Sequence, residues 1–154
     1  MRFVGRSGGE IRYAGPGMAR ILIVEDSAAM RAYVRSVLED PALGLQDEVE
    51  VVEAASGLTA LRLLPRGRFD LVITDINMPD INGLELIRFV RQSPRHENLA
   101  MLIISTQASE RDIERGMALG ADGFLPKPFT PEGLRDAIAS CLGARAAQGD
   151  EARD

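Results

Sequence analysis

The feature that most limits the fold of this chain is an alternation of a short apolar run with an amphipathic segment, repeated from Ala19 to Leu142. The apolar runs predict strands at Arg20 to Glu25, Glu50 to Ala54, Leu71 to Asp75, Met101 to Ser105 and Gly123 to Leu125. In ILIV, LVIT and MLII the apolar character is continuous, so both faces of those strands must be covered. Strands alternating with helices on two faces imply an α/β chain with a doubly wound, five-stranded parallel sheet.

Ala28 to Glu39 carries Met30, Val34, Val37 and Leu38 at helical spacing, and Thr130 to Leu142 carries Leu134, Ala137, Ile138 and Cys141 likewise. Thr130 followed by Pro131 supplies a capping hydroxyl and a proline at the first turn. Pro126 and Pro128 flank Lys127 at the end of the last apolar run, a density suited to an edge strand or its exit. Met1 to Gly17 holds four charged residues, five glycines and a proline without periodicity, and reads as a disordered leader or N-terminal extension, with Met18 as a sensible start. Residues 18–143 form the domain, and residues 144–154, small and charged, read as a polar tail or fraying helix end. A connecting segment, Asp40 to Val49, precedes the second strand.

The length of 154 residues suits one domain with a proper core. A net charge of -5 without a dense Lys/Arg run leaves no footprint for nucleic acid. Apolar stretches of strand length and a leader without a hydrophobic region argue against a membrane span or signal peptide. The single cysteine, Cys141, cannot pair within the chain and reads as a core residue suited to a reducing cytosol, so the expected location is cytoplasmic.

In an open parallel sheet, ligands bind beyond the carboxyl ends of the strands. Those ends bring Glu25 and Asp26, Asp75 followed by Asn77, Ser105 with Thr106, and Lys127 into one set. Converging carboxylates repel unless a hard cation sits among them, and oxygen ligands with room for water suit Mg2+. Such a site would let an anionic phosphoryl group approach Asp75 as nucleophile, with Lys127 neutralising charge and Ser105 donating a hydrogen bond.

With these residues assembled, the chain resembles the receiver domain of bacterial response regulators, in particular the stand-alone chemotaxis (CheY-like) type. The resemblance covers Ala19 to Leu142 and rests on IVEDSAAMR, LVITDINMPDINGLEL, LIISTQAS, GADGF and LPKPF, in that order. It implies a flavodoxin-like strand order of 2-1-3-4-5 with five helices. It implies that Asp75 accepts a phosphoryl group from a phosphohistidine on a sensor histidine kinase or histidine phosphotransfer protein. Asp26 would be a direct Mg2+ ligand, Glu25 would act through a metal-bound water, and Asn77 would contribute its backbone carbonyl. Ser105 matches the switch hydroxyl, Phe124 the switch aromatic and Lys127 the phosphate-pairing ammonium, with a cis Lys127-Pro128 bond. The signal would leave through an output protein on the face of Glu110 to Leu119, Gly123 to Leu125 and Thr130 to Leu142, and the chain would catalyse only its own phosphorylation and dephosphorylation. Departures are the acidic pair Glu25-Asp26 in place of two aspartates, Phe124 where the chemotaxis prototype has tyrosine, and Pro126 where the family usually has an aliphatic residue.

Taken singly, each residue also has a plainer role. Asp75 could cap a turn, Asp26 a helix, Ser105 could be an ordinary strand-end hydroxyl, Lys127 a surface lysine and Phe124 a core ring. His96, in the polar loop SPRHEN, is expected to be exposed and to ligate nothing, and Asp80 and Asn82 read as turn formers around Gly83. Two other functions share such a site: a phosphorylation-independent docking receiver and an aspartyl-phosphate phosphohydrolase of the haloacid dehalogenase kind. The latter needs a second aspartate where Asn77 stands. A nucleotide-binding domain is disfavoured because EDSAAM replaces a glycine-rich loop after the first strand.

Overall fold

A computed structural model describes residues 4–5, 19–45 and 49–153, with side chains from 19–45 and 49–145. Five parallel strands run as β1 (Ala19–Val24), β2 (Val49–Ala54), β3 (Leu71–Asp75), β4 (Ala100–Ser105) and β5 (Gly123–Pro126). Five helices join or follow them: α1 (Ala28–Glu39), α2 (Gly57–Leu63), α3 (Gly83–Gln92), α4 (Glu110–Leu119) and α5 (Pro131–Arg153). The spatial order is β2-β1-β3-β4-β5, so the doubly wound expectation holds.

The strands are continuously apolar because each feeds two cores. Ile21 and Ile23 of β1, Leu71 and Ile73 of β3, and Leu102 and Ile104 of β4 face α1 and α5. Leu22, Val24, Val72, Met101 and Ile103 point the other way, against α2, α3 and α4. A fully buried side chain of this size contributes about 1.5–3 kcal/mol, so the two layers carry most of the stability. Cys141 is one of them, and burial pushes its thiol well above the ordinary range.

Local chemistry sets the helix starts. Ser27, Ser56, Asn82 and Ser109 each accept a hydrogen bond from a first-turn amide of α1, α2, α3 and α4, and Asn82 and Ser109 form reciprocal capping boxes with Glu85 and Asp112. Thr130 accepts from the Gly133 amide at the start of α5, where Pro131 occupies the first turn. α4 ends on Gly120 at φ 116°, a conformation that favours glycine.

Three expectations change. First, α5 does not stop at Leu142 but runs to Arg153. Residues 144–153 include four alanines and two arginines, good helix formers, and Arg145 is anchored by an ion pair to buried Asp122 at 2.8 Å. Second, β5 is not a bare edge, because Val4 and Gly5 pair antiparallel with Phe124 and Gly123. The rest of the expected leader, and Met18 read as the start of the domain, lie outside the described residues. Third, His96 is half-buried rather than exposed, and that burial, with Arg95 nearby, holds its imidazole below the ordinary range. In the segment before β2, Pro41–Leu43 forms a 3-10 turn ending at Gly44, and 46–48 lie outside the described residues. Among the described residues, no helix is long and apolar enough to cross a membrane.

Candidate functional site

The parallel registers bring the carboxyl ends of the strands to one side: Val24 pairs with Ala54 and Thr74, Asp75 with Ile104, and Ser105 with Pro126. Glu25 lies one residue beyond β1 rather than within it. Its amide still donates to the Ala54 carbonyl at 3.1 Å, but its own carbonyl leaves the ladder and accepts from Arg31 at 2.7 Å. The Glu25 carboxylate is buried, with Oε1 accepting from the Ser27 amide at 3.3 Å, while Asp26 is exposed.

Asp75, the last residue of β3, is 8% exposed. Its Oδ1 accepts from the amides of Ile76 at 2.7 Å and Asn77 at 3.4 Å. The following loop returns so closely that the Gly83 amide donates to the Ile76 carbonyl at 2.8 Å. A Cβ on Gly83 would run into the Asp75 carbonyl oxygen, so that position needs glycine for close approach.

Lys127 leaves β5 through its amide, which donates to the Ser105 carbonyl at 2.9 Å, and its bond to Pro128 is cis. The ammonium then lies 3.1 Å from Asp75 Oδ2 and 3.4 Å from Glu25 Oε2. A residue read from the sequence as motif-bound thus faces two of the three carboxylates.

Glu25, Asp26 and Asp75 each offer an oxygen, all within 4.8 Å of one another. Burial first, then the Asp75 charge, pushes the Glu25 carboxyl up to about 7, against the opposing pull of Lys127. One ammonium therefore does not neutralise the cluster, and a divalent cation with oxygen preference fits the donor set.

The remaining expected residues fall around this centre. Asn77 is exposed and touches Asp75 through its amide. Ser105 is buried, and its hydroxyl accepts from the Gln107 amide at 3.0 Å; among the described residues no hydrogen bond joins it to Asp75. Phe124 is fully buried in the core beneath α4, beside Gly116. Asn82 caps α3, as a turn former should.

Two residues have roles that the sequence reading missed. Asp80 does more than shape its own turn: it accepts from the Gly57 and Leu58 amides at 3.2 and 3.0 Å, capping α2 from across the site. No local signal marks a partner 22–23 residues away. Arg31 reaches the carbonyls of the acidic pair, and its place five residues after Asp26, on the helix Ser27 starts, was the available clue.

Comparison with known proteins shows the family and the fold. The response regulator receiver domain model matches residues 21–139. The chemotaxis protein CheY of Pseudomonas aeruginosa is 37% identical over 119 residues, covering 77% of this chain and 92% of that protein. The structure of chemotaxis protein CheY4 of Vibrio cholerae aligns with a TM-score of 0.73 at 35% identity, covering 81% of this chain and 99% of that one. A CheY-like receiver domain protein from Methanospirillum hungatei aligns at 0.75 and 27% identity, covering 86% and 100%. The matched span takes in Glu25, Asp26, Asp75, Ser105 and Lys127, and this chain belongs to the response regulator receiver family.

Proposed function

We propose that this chain is a phosphorylation-driven receiver: Asp75 accepts a phosphoryl group from a phosphohistidine on a sensor kinase or phosphotransfer protein, in the presence of Mg2+. The observation that supports the reading most is the Lys127 ammonium at 3.1 Å from Asp75 Oδ2, inside a cluster of three carboxylates.

Asp26 and Asp75 would hold the ion directly, Glu25 through a water, and Asn77 through its carbonyl. Bound Mg2+ supplies charge neutralisation for an incoming phosphoryl group. The Asp75 carboxylate attacks phosphorus, forming an O–P bond as the N–P bond to imidazole breaks, and the imidazole nitrogen leaves with the bonding pair and takes up a proton. The Ile76 and Asn77 amides fix the carboxylate's orientation through Oδ1, while Lys127 offsets charge at Oδ2. Water later cleaves the acyl phosphate, so the chain turns over only its own modification.

Phosphorylation adds a charge of roughly -1.5 to -2 and strong acceptor oxygens. Ser105 would exchange its hydrogen bond with the Gln107 amide for one to the phosphoryl group, reshaping the loop before α4. Phe124, already inside, would hold the matching position of β5. The signal would pass to a partner on the face of α4, β5 and α5, in chemotaxis or motility as the names of the similar proteins suggest.

The test is intact mass after incubation with phosphoramidate and Mg2+. The reading expects one labile phosphoryl addition in the wild type, none without Mg2+ and none in Asp75→Asn. Unmodified wild type would favour a receiver that docks without phosphorylation.

A further inference from the structure

We propose that Arg31 is a positioning residue for the cation site, and that Glu53 holds it in place. The inference rests on the metal reading above.

The carbonyls of Glu25 and Asp26 follow the end of β1, where the ladder no longer supplies donors. A single guanidinium nitrogen, Arg31 Nη1, donates to both, at 2.7 and 3.3 Å. The two residues that carry the acidic pair are thus gripped by their backbone rather than by their carboxylates. Arg31 thus occupies no carboxylate oxygen of the pair: the Glu25 oxygens face the Ser27 amide and Lys127, while a second positive charge stands behind the cluster.

Arg31 is itself fixed from two directions. Its backbone belongs to α1, whose cap Ser27 receives the Met30 amide at 3.2 Å, while the Arg31 amide donates to the Ser27 carbonyl at 2.9 Å. Its Nε lies 3.4 Å from Glu53 Oε1 on β2. Glu53 is the neighbour of Ala54, whose carbonyl receives the Glu25 amide, so the grip closes a circuit through α1, the acidic loop and β2. The other Glu53 oxygen accepts from Arg35 Nε at 2.7 Å. Arg35 therefore shares Glu53 with Arg31, and its other hydrogen bonds go to Glu39 and the Val51 carbonyl, away from the acidic pair. That difference makes Arg35 a natural control.

Outer partners that orient metal ligands commonly change metal affinity 10–100-fold when removed. The experiment is calorimetric titration of the metal-free full chain with Mg2+, alongside thermal midpoints without metal, for wild type, Arg31→Ala, Arg31→Lys, Glu53→Gln and Arg35→Ala. Arg31→Ala should weaken Mg2+ binding by about tenfold or more, Arg31→Lys should recover part of it, and Glu53→Gln should move the same way by less. Arg35→Ala should lower the midpoint and leave the affinity within about twofold, as expected of a surface ion pair. In phosphoramidate labelling, Arg31→Ala should raise the half-saturating Mg2+ concentration and leave the rate at saturation near that of wild type, a split that mere loss of stability does not give. Equal Mg2+ affinity in Arg31→Ala and wild type would overturn the proposal while leaving the metal site intact. Wild type that takes up no Mg2+ would overturn the metal reading and this inference together, before any variant is compared.

Discussion

Lys127 Nζ lies 3.1 Å from Asp75 Oδ2 although 52 residues separate the two in the chain. The contact exists because β3 and β5 both flank β4 in parallel, so their ends emerge on the same side. Replacing Lys127 with Met keeps the apolar stem and removes the ammonium. With phosphoramidate and saturating Mg2+, Lys127→Met should form the acyl phosphate on the order of 10²-fold more slowly, the usual loss on deleting one electrostatic donor to a reacting group. Time-resolved intact mass checks this.

Gly83 presses its backbone against the Asp75 carbonyl, and the atoms a new Cβ would meet are backbone atoms of Asp75 and Ile76, which cannot swing aside. Gly83→Ala should destabilise the fold by about 2 kcal/mol, as overpacking of a tight site does. Urea unfolding measures the loss, and slower labelling of Asp75 should accompany it.

Asp80 links acidity to the top of α2. Hydrogen bonds from the amides of Leu58 and Ile81 lead the causes that hold its carboxyl down at about 2, below the ordinary 3.8. A lowered pKa means that the charged form is favoured in the folded state. Its contribution is therefore present above pH 3.8 and lost as the pH falls through about 2. Asp80→Asn should be less stable than wild type near neutrality, and the two unfolding midpoints should converge below pH 3.8, measured by thermal scans across that range.

Asp122 is a buried carboxylate between two guanidiniums, Arg91 at 2.9 Å and Arg145 at 2.8 Å, and it also accepts from the Met101 amide at 2.8 Å. Asp122→Ala leaves those donors facing each other and should cost about 3–5 kcal/mol, the range for breaking a buried pair. Arg145→Ala retains Arg91 and should cost about 2 kcal/mol, the scale of one charged hydrogen bond. Denaturant titration separates the two.

These residues mark what was legible in the sequence. β3 and α1 have the bounds expected, because the apolar run of LVITD leads directly to its closing aspartate and Ser27 caps α1 by a purely local hydrogen bond. The grouping of Glu25, Asp26, Asp75 and Lys127 was legible because strand ends in a parallel sheet converge whatever the loops do. The end of α5 was only partly legible: the composition beyond Gly143 suited a tail or a fraying helix end, and no local signal marks Arg145 reaching Asp122, 23 residues earlier. The pairing of Val4 and Gly5 with β5 is a non-local contact of two residues with no periodic signal. Asp80 looked like a turn former because its turn is local and its α2 amides are not.

The central claim is that the Asp75 carboxylate is the phosphoryl acceptor. Its most direct test is reduction of the labelled protein with borohydride, which converts an aspartyl phosphate to homoserine, followed by peptide mapping. The account predicts homoserine at position 75 alone, appearing only after treatment with phosphoramidate and Mg2+. Homoserine at another carboxylate, or label lost without any homoserine, would contradict it.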